Sequence, residues 1–230
     1  TQGTGLEVVR ELRARGQAVV VSVRPTSNTT ALDAIGVEKI ILDAMDEQQV
    51  RGAITPGRFS AIISTVGTAT RDLPERRNPL MSLLKGQVKM EPGKRPDYIG
   101  NRHLIDAARE AGIQRFILVT VIGAGDSAPA VPRPARSGHD EVTPLKTQAE
   151  DHLKASGLDY TVIRPGGLGP RVLAATGKAR LTADTESFSY MSRIDLARLV
   201  VDALGDPGTI GHTYTAWDPE RLHLWNLFID

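Results

Sequence analysis

The pattern that constrains this chain most is an alternation of short apolar runs with helical periodicities. The runs Ala18 to Val23, Lys39 to Leu42, Ala61 to Ser64, Phe116 to Val121, Tyr160 to Ile163 and His212 to Thr215 are largely apolar rather than alternating. Strands covered by helices on both faces read this way. Between them, Leu6, Val9 and Leu12 share one helical face, which Gly16 can end in the left-handed conformation, and Gly112 and Gly157 stand at equivalent stops. Asn101 to Ala111 puts Leu104, Ile105 and Ala108 on one side. Thr143-Pro144 opens a helix with Leu145, Ala149 and Leu153 at four-residue spacing, and Ser192 with Asp195 forms a capping box before a helix ending near Leu204. Strand, helix and strand repeated this way predict an α/β fold of three layers around a doubly wound parallel sheet.

The 230 residues make a single domain, 1–230, with two long loops, 67–96 and 123–143. The first carries seven basic residues against three acidic ones, and the second is proline-rich. Loops of this length are lids, binding loops or excursions over the surface. Lys and Arg number 28 against 27 Asp and Glu, a net charge of +1, so no global field draws the chain to nucleic acid or an anionic membrane. Four Phe, two Trp and four Tyr offer little for base stacking, and nucleic acid is not an expected partner. Without cysteine there is no disulfide, thiolate metal site or cysteine nucleophile, a composition that fits a reducing compartment and a cytoplasmic location. No His and carboxylate cluster has ligand spacing, so no metal is expected. No apolar stretch approaches a membrane span.

The segment Thr1-Gln2-Gly3-Thr4-Gly5 runs straight into the first helical periodicity. Glycines there let the backbone approach a pyrophosphate, and unpaired N–H groups with the helix dipole favour its charge, which makes Thr1, Gly3, Thr4 and Gly5 candidate cofactor contacts. A Gly-x-Gly pair alone is equally a tight turn; its place at the head of the repeat singles it out. The repeat calls for a strand and a leading glycine before this turn, so the natural protein is expected to extend upstream of Thr1. After the run ending at Val23 stands Arg24-Pro25-Thr26-Ser27, where NAD-specific folds place an acid on the ribose diol. A guanidinium beside hydroxyls suits a 2′-phosphate, so Arg24 and Thr26 favour NADP(H) over NAD(H), against the plainer reading of a surface arginine at a strand end. Asp43 and Ala44 follow the next strand, where a carboxylate can accept from the adenine amino group. Thr65, Val66 and Gly67 follow the one after, where small residues lie along the cofactor. Topology alone makes these placements.

The opening TQGTG, the VRP that follows, DYIGNRHLIDAA at 97–108, RFILVTVIGAG at 115–125 and KTQAEDHLKASGLDYTVIRPGGL at 146–168 resemble the atypical short-chain dehydrogenase/reductases, nearest to their NmrA-like and flavin/biliverdin reductase-like branch. The resemblance covers nearly the whole chain. It implies a Rossmann fold, NAD(P) at the glycine turn, Lys146 on the nicotinamide ribose, and Thr120 near the nicotinamide in the place of the usual active-site Ser or Thr. It also implies that Pro165, Gly166 and Gly167 line the cofactor. Thr120 and Lys146 are the catalytic candidates. Each also has a bland reading, Thr120 as a strand-end hydroxyl and Lys146 as half of a surface ion pair with Glu150 at i+4.

Family members that carry a catalytic tyrosine hold it four residues before the lysine, where this chain has Val142. A hydrocarbon donates no proton, so carbonyl reduction by a tyrosine and lysine pair is put in doubt. Flavins, quinones and linear tetrapyrroles take hydride into a conjugated frame and can take the proton from solvent. The leading expectation is an NADPH-dependent reductase of a small conjugated or carbonyl acceptor. His139, Asp140 and Tyr190 are alternative donors that spacing does not single out. The alternative is a non-catalytic NADP(H)-binding redox sensor or assembly factor; the apolar segment Leu222 to Ile229 reads either as the last piece of core packing or as a docking segment for a homodimer or protein partner.

Overall fold

Strand β4 (Arg115–Val119) shows how the layers arise, because successive side chains of a strand point to opposite faces. Phe116 and Leu118 enter one apolar cluster, and Ile117 and Val119 enter another; all four are buried. The computed structural model describes residues 3–68, 95–131, 142–170 and 172–222. Along these the order is α1 (Thr4–Ala14), β1 (Val20–Val23), α2 (Thr30–Ile35), β2 (Glu38–Ile41), α3 (Glu47–Ala53), β3 (Ala61–Ser64), α4 (Ile99–Glu110) and β4. A 3-10 turn (Gly125–Ala130) leads to α5 (Thr143–Lys154), β5 (Asp159–Pro165), β6 (Gly167–Leu168), β7 (Arg180–Thr182), β8 (Tyr190–Met191), α6 (Arg193–Gly205) and β9 (His212–Trp217).

The main sheet has five strands in the order β3, β4, β5, β9, β7, parallel except where β7 runs against β9. One face is covered by α3, α4 and α5 through Val50, Ile105, Ala149 and Leu153, and the other by α1 and α6 through Val8, Leu12, Leu196 and Val200. This is the expected three-layer α/β arrangement. A separate parallel pair, β1 and β2, packs with α1 and α2 around Val9, Val23, Leu32 and Val37. Helix α1 therefore contributes to the cores of both sheets, and no strand among the described residues joins β1 to β3.

The helix ends follow the local chemistry. Gly16, Gly112 and Gly157 all take positive φ, and the Gly16 and Gln17 amides return to the Arg13 and Leu12 carbonyls to close α1. Ser192 caps α6 by accepting from the Asp195 amide at 2.9 Å, while its own hydroxyl donates to the Asp195 carboxylate at 2.8 Å. The short helices α2 and α3 and the two-residue strands β6 and β8 had no clear signal, being too brief to show a period. Most of the first long loop, residues 69–94, and part of the second, residues 132–141, lie outside the described residues, as do Thr1, His139, Asp140 and the tail beyond Leu222; the described part of the second loop carries the 3-10 turn. Among the described residues no helix is long and apolar enough to cross a membrane.

Candidate active site

The glycine turn and the end of β3 meet. Gly3, with φ of 74°, precedes α1, Thr4 is its first residue, and a Cβ on Gly5 would stand 2.9 Å from the Thr65 hydroxyl. Only a glycine lets the start of α1 approach the strand end this closely. The Arg193 side chain also reaches this turn, its Nε 3.7 Å from where a Gly3 Cβ would be, while its guanidinium donates to the Gly169 carbonyl. Open backbone at a helix N-terminus with a cation alongside fits a pyrophosphate.

At the end of β1, Arg24 and Thr26 are exposed. The Arg24 amide donates to Ser27 Oγ at 3.2 Å and the Ser27 amide to the Arg24 carbonyl at 2.9 Å, which closes a tight turn. Among the described residues the Arg24 guanidinium has no carboxylate partner. Beyond β2, Asp43 Oδ1 accepts from the Met45 amide at 3.0 Å, a turn-forming contact that leaves the second carboxylate oxygen available. The Ala44 carbonyl faces the buried His103 ring at 2.9 Å from Nδ1, and Gly100 lets α4 approach Ala44 and Val66.

Lys146 lies one turn into α5 and is 6% exposed. Its ammonium donates to the Val66 carbonyl at 2.6 Å and pairs with Asp97 Oδ1 at 3.3 Å. Asp97 also accepts from the Thr68 amide and hydroxyl. Gly67 is enclosed by these groups: a Cβ there would stand 2.6 Å from Lys146 Nζ and 2.8 Å from Asp97 Oδ1. Desolvation pushes the Lys146 ammonium below the ordinary lysine value, and Asp97 followed by Glu150 offsets this only in part. An under-compensated buried ammonium beside a strand-end loop fits a ligand with hydroxyl acceptors.

Thr120 follows β4, and its hydroxyl donates to Glu150 Oε1 at 2.7 Å. Glu150, fully buried, takes the Arg164 guanidinium in a two-pronged contact, Nε to Oε1 at 3.1 Å and Nη2 to Oε2 at 2.6 Å, and Arg164 Nη1 reaches Asp126 at 2.5 Å. The only proton of Thr120 is thus committed to a carboxylate, and toward any other group this hydroxyl acts as an acceptor. Lys146 and Glu150 are both buried and engaged with other partners, so a surface ion pair between them is not what the fold builds. The Pro165 carbonyl accepts from the Ile122 amide at 2.8 Å. Gly166 and Gly167 face the Ser189 backbone and the Tyr190 ring so closely that a Cβ at either would overlap them. Tyr190 is the one alternative donor among the described residues, and its ring lies at this edge of the site.

Asp97, Asn101, Glu150 and Arg164 went unread as site residues. The available signal was charge on apolar elements: Arg164 directly follows the apolar run Tyr160 to Ile163, and Lys146 and Glu150 sit beside Leu145 and Ala149 on the covered face of α5.

A family model described as NAD(P)H-binding matches residues 1–207. Among curated proteins the chain is similar to YhfK of Bacillus subtilis, an uncharacterized sugar epimerase, at 29% identity over 190 residues, covering 81% of this chain and 76% of that protein. It is 27% identical over 227 residues to the chloroplastic protein TIC 62 of Pisum sativum, covering 90% of this chain but only 39% of that protein. Among solved structures it is similar to ChuY of Escherichia coli O157:H7, described as an anaerobillin reductase, at 31% identity and a TM-score of 0.75, covering 96% of this chain and 94% of that one.

Proposed function

The chain belongs to the NAD(P)H-binding family, in its atypical short-chain dehydrogenase/reductase branch, and from that premise we propose that it is an NADPH-dependent reductase of a small conjugated or carbonyl acceptor, conjugated acceptors being favoured. The observation that carries this reading is the Lys146 pocket, a buried ammonium with incomplete compensation at the end of the sheet that also holds the glycine turn. Gly3, Thr4 and Gly5 would hold the pyrophosphate, Arg24 and Thr26 the 2′-phosphate, and Asp43 and Ala44 the adenine. Thr65, Val66, Gly67, Lys146, Pro165, Gly166 and Gly167 would lie along the nicotinamide half. A bound NADPH supplies hydride.

Val142 precedes α5, its carbonyl accepts the Lys146 amide at 3.0 Å, and at this position, four residues before Lys146, a valine has no hydroxyl to donate. With Thr120 committed to Glu150, neither position delivers a proton to a substrate carbonyl. An acceptor that spreads the hydride's charge over a conjugated frame and is protonated from solvent suits this site. The ChuY similarity supports a reductase, and the cysteine-free composition suits a cytoplasmic location.

The test is NADPH oxidation with flavins, quinones and linear tetrapyrroles against small aldehydes. Turnover with a conjugated acceptor, kept in Tyr190→Phe, is the expected result; loss of turnover in that variant would assign the proton to Tyr190 instead. Saturable NADPH binding with no turnover across the panel would favour the sensor or assembly-factor reading, which Val142 also supports.

A further inference from the structure

Asn101 lies in the first turn of α4 and is fully buried. Its Oδ1 accepts from Ser64 Oγ, at the end of β3, at 2.6 Å. Its Nδ2 donates to the Asp97 carbonyl at 2.8 Å and to the Val66 carbonyl at 3.3 Å. The reversed amide would set its oxygen against those two carbonyls, so the contacts themselves fix its orientation. The Val66 carbonyl is the one that accepts the Lys146 ammonium, and Asp97 carries the carboxylate paired with it. One amide therefore ties together the two separate chain segments whose oxygens hold Lys146.

We infer that Asn101 is a positioning residue for Lys146, fixing the Val66 carbonyl and Asp97 where they receive the ammonium. An apolar residue of similar size would fill the same volume and leave both segments without their common donor. The Val66 carbonyl would then be free to turn, while the burial that disfavours the ammonium would stay. Ser64 acts through Asn101 in turn, since its hydroxyl fills the acceptor side of the amide and also receives the Val66 amide at 3.3 Å.

The inference extends the cofactor reading, and its first readout does not depend on that reading. In protein with 13C-labelled lysine, the Lys146 resonance is assigned by its absence in Lys146→Met and followed with pH. In Asn101→Leu it titrates at lower pH than in the parent, and the NADPH dissociation constant rises about tenfold, the scale of losing a supporting contact behind a ligand-binding group. Ser64→Ala, the milder change should Asn101→Leu not fold, moves both in the same direction by less. Ile105→Val, a core change one turn along α4, moves neither. A Lys146 titration unchanged or raised in Asn101→Leu and Ser64→Ala, or shifted equally in Ile105→Val, overturns the assignment. If the parent binds no NADPH, the cofactor reading fails and the titration still decides the role of Asn101.

Discussion

Arg164 and Lys146 are both cations buried at the carboxyl end of the five-stranded sheet, and the fold treats them in opposite ways. Burial pulls the Arg164 pKa down, but Glu150 and then Asp126 more than offset it, and the guanidinium is held above its ordinary value. Its planar donors match a carboxylate, so the charge is satisfied within the protein. Lys146 receives one carbonyl and one longer carboxylate contact, and burial wins. The difference separates a buried charge satisfied within the protein from one that is not, and the proposed ligand role of Lys146 rests on the second. The completed network braces α5 against β5; the Lys146 ammonium, with three protons to donate, has the Val66 carbonyl and Asp97 as partners.

The largest effect should come from breaking the completed side. Glu150→Ala leaves Arg164 buried without its fork and Thr120 without an acceptor, and should cost about 3–5 kcal/mol in urea unfolding. A loss under about 1 kcal/mol would remove the distinction drawn here. Thr120→Val deletes only the hydroxyl that donates to Glu150 and should cost about 1–2 kcal/mol; no loss would return the hydroxyl to a freely available role.

Lys146→Met should cost less than Glu150→Ala at neutral pH: it removes a charge that burial disfavours, and the Asp97 carboxylate it leaves keeps the Thr68 amide and hydroxyl as donors. The sign of its pH dependence follows from linkage. Lys146 has a lower pKa folded than unfolded, so between those two values the unfolded chain binds more protons and the parent gains stability as pH rises. Lys146→Met lacks that gain, so its stability relative to the parent should fall as pH rises between the two values, and a relative stability that rose would contradict the assignment. The smallest change in stability belongs to Arg24→Ala, whose exposed side chain braces nothing among the described residues. There the expected effect is confined to ligand choice, with NADPH affinity falling to that for NADH by calorimetry.

The sheet was legible because its central strands are covered on both faces, and runs such as Phe116 to Val119 carry that in composition alone. Capping by Ser192 and the glycine stops were legible for the same local reason. The split between the β1 and β2 pair and the larger sheet was not, since strand pairing is non-local. At the site, Gly5 was placed by motif, Gly67 by topology and Lys146 by resemblance. The partners that give them meaning, Asp97 and Asn101, come from a segment about fifty residues from Lys146, and only the folded chain brings them together. Thr120 was read by position, yet its chemistry depends on Glu150 and Arg164, whose meeting no spacing predicts.

NADPH titration of Lys146→Met beside the parent, by calorimetry at neutral pH with folding checked by urea unfolding, tests the central claim most directly. The predicted result is a folded variant whose NADPH affinity falls by more than about tenfold, or 1.4 kcal/mol. A folded Lys146→Met that binds NADPH as tightly as the parent would contradict the account.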